Sequence, residues 1–175
     1  MQKKLAMKRL VLVLILAGLI TTGFSQQKIK LGHLNSNDLL EAMPEKAKAQ
    51  KSLQDYSKQL EDQLTTMQDE LEKKYNDYLS KKDSLSDLIK KNREDELMSL
   101  QQRIQTFQGN AQQELQKKEQ DLLKPIIDKA KQAIEDVAKE NGYTYVFDSG
   151  TGTLLYFPKD SDDILPLVKK KLGIN

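Results

Sequence analysis

No proline lies between Pro44 and Pro125, and no glycine between Gly32 and Gly109. Nothing that stops a helix is present for about eighty residues. Through this stretch apolar side chains recur at intervals of three and four: Leu53, Tyr56, Leu60, Leu64, Met67, Leu71, Tyr75 and Tyr78, then Leu97, Leu100, Ile104, Phe107, Ala111, Leu115, Leu122 and Ile126. The positions between them are mostly Lys, Glu, Asp and Gln. That pattern is a coiled-coil seam with a solvated outer face. Hydrophobic residues make up only 38% of the chain and charged ones 31%, which suits long solvated helices and is too little apolar matter for a large globular core.

A narrow stripe buries one edge, so the helix needs a partner. The apolar positions mirror about Lys91: Leu85 faces Leu97, Tyr78 faces Ile104, Tyr75 faces Phe107 and Tyr56 faces Ile126. "IKKNRED" (89–95) is densely charged there, and Asn92 tolerates a left-handed turn. The pattern therefore predicts a helical hairpin over 44–138 with its turn near 91. Two arms of about 46 residues each would reach roughly 70 Å.

The strand-forming residues lie at the two ends of the chain. "KIKLGHLN" (28–35) alternates apolar and polar and reads as a first strand. "YTYVFD" and "TLLYF" flank "SGTG" (149–152) and read as a β-hairpin. "SDDILPLVKKKLGI" follows as a final helix, with Ser161 as its cap and Asp162 and Asp163 in its first turn. Residues 26–43, a first strand and short helix, thus join residues 139–175 as a small body at the base of the arm. The fold class is α+β. A body of this size is marginal alone, and its sheet edges offer contact surface, so a homo-oligomer is expected.

Residues 1–25 carry Lys3, Lys4, Lys8 and Arg9, an apolar run from Leu10 to about Ile20, and small or polar residues to Ser25. This order is that of a secretory signal peptide cleaved near Ser25. Removing those four basic residues turns the formal charge of +2 into −2, 24 basic against 26 acidic. A nearly balanced mature chain gives no basis for a nucleic-acid partner. The chain has no cysteine, which excludes disulfides and thiolate metal sites. His33, the one histidine, has no companion ligand in sequence, and runs such as Glu94–Glu96 read as solvated helix surface. No catalytic motif, cofactor site or metal site is predicted, and the chain is not expected to be an enzyme.

The arm "LEDQLTTMQDELEKKY", the return segment containing "QTF" (105–107) and "AIEDVAKENGYTYVFD" (133–148), and the final "DDILPLVKKKLG" resemble the Skp (OmpH-like) periplasmic chaperones, over residues 28–173. The resemblance implies a jellyfish-like homotrimer in which three chains build a β-sheet body and three long helical hairpins enclose a cavity. It implies that unfolded outer-membrane proteins are held in that cavity in the periplasm, without ATP. The best-known members are strongly basic once processed. This chain departs from them, which leaves lipopolysaccharide or membrane contact open.

Within that frame, Tyr75, Tyr78, Leu85, Leu88, Ile89, Leu97 and Met98 are candidate client contacts, where lysines interrupt the seam. The same residues could instead zip the hairpin. Ile29, Leu31, Tyr145, Val146, Phe147, Leu154 and Tyr156 are candidates for the oligomer body. Pro125 removes a helix hydrogen bond and predicts a kink that could act as a hinge, with Gly109 a second soft point. The rival reading of the molecule is a coiled-coil spacer, or an adaptor for one dedicated envelope partner.

Overall fold

The computed structural model describes residues 29–174. The expected signal peptide and its cleavage point lie outside the described residues, as does Lys28. The chain divides into two compact units, Met1–Lys30 and Leu31–Asn175, and the second holds every element below. In order these are β1 (Leu31–Leu34), α1 (Ser36–Ala42), α2 (Pro44–Lys81), a 3-10 turn (Lys82–Ser84), α3 (Asp87–Glu140), β2 (Tyr145–Asp148), β3 (Asp162–Asp163) and α4 (Leu165–Leu172).

Local chemistry explains the breaks. Asn35 caps α1, its side-chain oxygen accepting the N–H groups of Asn37 and Asp38 at 2.9 and 3.3 Å. Met43 is extended (φ −77°, ψ 121°) because it precedes Pro44, whose ring disfavours a helical predecessor. Pro44 then opens α2, where no N–H is needed. From there α2 runs 38 residues and α3 runs 54, about 57 and 81 Å at 1.5 Å per residue.

The hairpin turns earlier than the mirror predicts. Helix α2 ends at Lys81, Leu85 and Ser86 are extended, and α3 starts at Asp87. Lys91 and Asn92 lie inside α3. Cross-arm pairs confirm the register: Lys74 with Glu96 at 2.5 Å, Tyr78 with Glu94, and Glu45 with Lys129 at 2.5 Å, centred on residues 85, 86 and 87. A heptad stripe is nearly unchanged when its mirror axis moves by half a repeat, so the apolar pattern alone admits several axes. The deciding signal is "KKDSLSD" (81–87), where Ser and Asp gather before the next periodic run. No non-glycine residue takes a positive φ among the described residues, so the turn needs neither Gly nor Asn.

The sheet is parallel, in the order β2-β1-β3. Leu31 pairs with Tyr145 and His33 with Phe147 on one side, and His33 pairs with Asp163 on the other. The arm is thus the crossover between β1 and β2, the long connection that parallel strands require. The predicted β-hairpin does not form, since residues 153–157 carry no strand. They lead away from β2, and Phe157 packs against His33, the rings tilted by 39° with centroids 4.4 Å apart. Asp162 and Asp163 form β3 and not the first turn of the last helix. Helix α4 begins at Leu165, whose N–H donates to Asp163 Oδ1 at 2.9 Å, and Ser161 instead donates its hydroxyl to the Pro158 carbonyl.

The core gathers Leu34 from β1, Leu39 from α1, Ala49 from α2, Ile126, Ala130, Ala133 and Val137 from α3, and Ile164 and Val168 at α4, with Met43 between the first two helices. Ala49, Ala130 and Ala133 allow close approach at the crowded base. Gly32 sits tightly there: a Cβ would meet the Tyr143 ring at 3.0 Å and Ile164 at 3.1 Å, so both side chains would have to shift. Helix α3 passes through Gly109 and Pro125 without interruption.

Candidate functional surfaces

Two surfaces leave apolar side chains in solvent. The first is the outer face of the sheet. Side chains alternate along a strand, so Leu34 turns into the core while Leu31 faces outward. Tyr145 and Phe147, its neighbours on β2, are exposed as well, at 59% and 43%. Val146 points the other way and packs on the core, so it does not belong to this face. Leu154 is half-buried, but Leu155 and Tyr156 are almost wholly exposed at 95% and 80%. Ile29, in the preceding unit, is exposed too. Leu155 and Phe157 escape the sequence reading, since a strand over 153–157 sets them on the face opposite Leu154 and Tyr156.

A polar latch holds this body together. The Asp148 carboxylate accepts the Ser36 hydroxyl at 2.6 Å and the N–H groups of Ser36 and Gly150 at 3.1 and 2.8 Å. Burial opposes its ionisation, but these bonds outweigh it and hold the carboxyl below the usual aspartate value. Asn37 donates to the Gly150 carbonyl at 3.0 Å. A Cβ on Gly150 would lie 2.3 Å from the Asn35 side-chain oxygen, so only glycine fits. The partners are 112 residues apart, a separation that no local motif reveals.

The second surface lies on the outer half of the arm. The hairpin is a two-helix ribbon, and its faces differ. One gathers Glu70, Lys73, Lys74, Asp77, Arg93 and Glu96. Here Lys74 bridges to Glu96 at 2.5 Å and to Glu70 at 3.7 Å, Arg93 meets Glu96 at 3.2 Å, and Lys81 pairs with Asp77. Hydrogen bonding to Glu96 raises the Lys74 pKa, while the bond from Lys74, reinforced by Arg93, lowers that of Glu96. The other face is a groove lined by Leu71 and Tyr75 from α2 and by Leu97 and Met98 from α3.

Tyr78 sits within the seam and is 6% exposed. Its hydroxyl donates to Glu94, which, together with burial, pushes the phenol up to about 12. Tyr78 therefore joins the arms, the structural role weighed against client contact for these residues. Tyr75 and Met98 are half-exposed beside it, and Leu97 is half-buried. Leu88 and Ile89 are exposed close to the turn and Leu85 is half-buried within it. Leu79 is half-exposed as well and falls outside the seam pattern.

Among the described residues no three His, Asp or Glu side chains cluster as metal ligands. His33 is a strand residue at the base, as its position in sequence suggests; its Nδ1 is buried without a hydrogen-bond partner. No described helix is long and apolar enough to cross a membrane.

Comparison with known families decides the kinship of this fold. Residues 30–172 match the family model described as outer membrane protein (OmpH-like). The chain belongs to the OmpH-like family. No curated protein matches the sequence. OmpH-like membership fits long helices on a small three-stranded sheet, and it points to a chaperone-type role towards outer-membrane proteins rather than to catalysis.

Proposed function

We infer that this OmpH-like protein is an ATP-independent holding chaperone of the periplasm. It keeps unfolded outer-membrane proteins from aggregating by enclosing them between the helical arms of a homotrimer. The observation that carries this reading is the apolar groove on the outer half of the arm, where Tyr75 and Met98 are 51% and 60% exposed. A helix pair that served only as a spacer would gain nothing from apolar surface left in water. Leu88 and Ile89 extend the same offer toward the turn. Weak, adaptable contacts of this kind suit many partners, and methionine is well fitted to make them.

Assembly follows from the second surface. Leu31, Tyr145, Phe147, Leu155 and Tyr156 are exposed, and β2 is an edge strand of the sheet among the described residues. Segment 153–157, which carries strand-forming residues but no strand, can pair with the edge of another copy. Three copies joined in this way would form the body from which the arms project.

The test dilutes a urea-unfolded outer-membrane β-barrel protein into buffer with or without residues 26–175, following light scattering and the mass of the soluble complex. The expected result is suppressed scattering and a complex of one client with three chains. Unchanged aggregation in the presence of folded, oligomeric protein would overturn the reading in favour of a spacer or dedicated adaptor.

A further inference from the structure

The two faces of the arm differ in how their charges are satisfied. On the charged face Glu70, Asp77 and Glu96 each have a cationic partner within the chain. The groove on the opposite side, with a volume of about 630 Å³, is lined by Leu71, Tyr75, Leu97 and Met98 and carries Glu72 and Glu94 beside them. No Lys or Arg lines it. Neither Glu72 nor Glu94 has an ion-pair partner among the described residues. Glu94 accepts the Tyr78 hydroxyl, which fixes its carboxylate at the groove.

An apolar groove with two uncompensated carboxylates has a definite complement. Apolar side chains of an extended polypeptide fill the floor, and a Lys or Arg beside them meets the negative charge. The Lys82 ammonium lies over the Tyr78 ring, 5.8 Å from its centroid, a cation–π contact with the ring and not an ion pair with either carboxylate. An acidic segment would bring like charge against Glu72 and Glu94. A volume of this size lies within the range of clefts that bind small ligands, so it accommodates a few side chains and not a folded domain.

We propose that the groove between Leu71 and Tyr75 of α2 and Leu97 and Met98 of α3 is a docking subsite for extended apolar segments flanked by Lys or Arg, with Glu72 and Glu94 as the charge selectors. The subsite builds on the holding-chaperone reading and adds to it a preference by client charge. Each arm carries one such groove, so several weak contacts spread along an unfolded chain add through effective concentration.

The chain contains no Trp, so a peptide with one Trp reports binding by its own fluorescence. Three probes share one alternating Val, Leu and Trp core and differ only in their flanks, which are Lys, Gln or Glu. Titrated with residues 26–175 at low salt, the Lys-flanked peptide should bind about fivefold more tightly than the Glu-flanked one, the size expected of exposed charge contacts. Added salt should narrow that gap. Glu72→Gln should also shrink the discrimination, and because Glu72 is exposed and makes no hydrogen bond or ion pair among the described residues, the change leaves no polar partner stranded; its helix content is checked by circular dichroism. Tyr75→Ser with Met98→Ser should weaken all three peptides, with helix content checked by circular dichroism. Lys73→Ser, on the opposite face, should change nothing. Equal affinity for the three flanks, or unaltered binding in the Tyr75→Ser, Met98→Ser variant, would overturn the proposal. The β-barrel aggregation assay separates the two readings. If that double variant still suppresses aggregation while its peptide binding is unaltered, the groove fails and the chaperone stands. If wild type does not suppress aggregation yet discriminates among the peptides, the subsite stands as a peptide site and the chaperone reading fails.

Discussion

Asp148 ties two distant parts of the body together. Its carboxylate joins the start of α1 to the turn after β2 through three hydrogen bonds. Asp148→Ala would strand the Ser36 and Gly150 N–H groups, and the expected cost is about 1–3 kcal/mol. The sign of the pH dependence follows from the depressed carboxyl. Its stabilisation is fully present above the ordinary aspartate value of 3.8 and is lost as pH falls through the lower folded value. Thermal unfolding of wild type and Asp148→Ala should therefore differ at neutral pH and converge as the solution is taken below about 3.8. A constant difference across that range would mean that the side chain acts through its shape and not its charge. At this scale the sequence is a partial guide. "DSG" announces a turn, but that Asp148 would serve Ser36 is invisible, because the contact exists only once the whole arm has brought the two together.

The arm was the most legible element, and its errors are instructive. Two helices and their antiparallel pairing follow from the three-and-four stripe and the missing Pro and Gly. The register did not follow, since the stripe matches itself at several offsets and only the Ser and Asp residues of 83–87 break the tie. The same limit applies to the candidate contacts: spacing places Tyr75 and Tyr78 on one seam, yet Tyr78 is buried and Tyr75 is half-exposed. Which of two neighbours on a helix faces the partner depends on the true register. Pro125 is a separate matter. It lies within α3 among core residues, just before Ile126, and deprives the Asp121 carbonyl of its helical donor. We propose that the arm swings about this weakened turn to fit clients of different size. Pro125→Ala should stiffen it and narrow the distribution of arm distances measured by solution scattering. An unchanged distribution would leave only a fixed bend.

At the scale of the molecule, the ends of the chain meet in one sheet, as the strand-like segments at 28–35 and 143–148 suggest. The sheet's composition was only partly legible. "TLLYF" has every local mark of a strand, but it pairs with no strand among the described residues, and β3 forms instead from two aspartates that no propensity scale favours. Tertiary packing of Ile164 beneath the sheet outweighs local preference there. On the trimeric reading proposed above, the exposed aromatic face is where copies would associate. Tyr145→Ser with Phe147→Ser should turn a trimer into monomers that retain their helix content, read by sedimentation and circular dichroism. Trimers that survive the double change would place the interface elsewhere.

The latch between Ser36 and Asp148 also sets an order of events in time. Strand β1 is made early, yet both its neighbours lie more than a hundred residues downstream, while each helix and the turn between them need only nearby residues. Long loops close slowly and local contacts form first. The arms can therefore coil while the chain is still emerging, and the body can close only when the last thirty or so residues have arrived. Until then the newborn protein carries an unpaired apolar strand at its leading end. During that interval it is itself in the condition of the molecules it would protect.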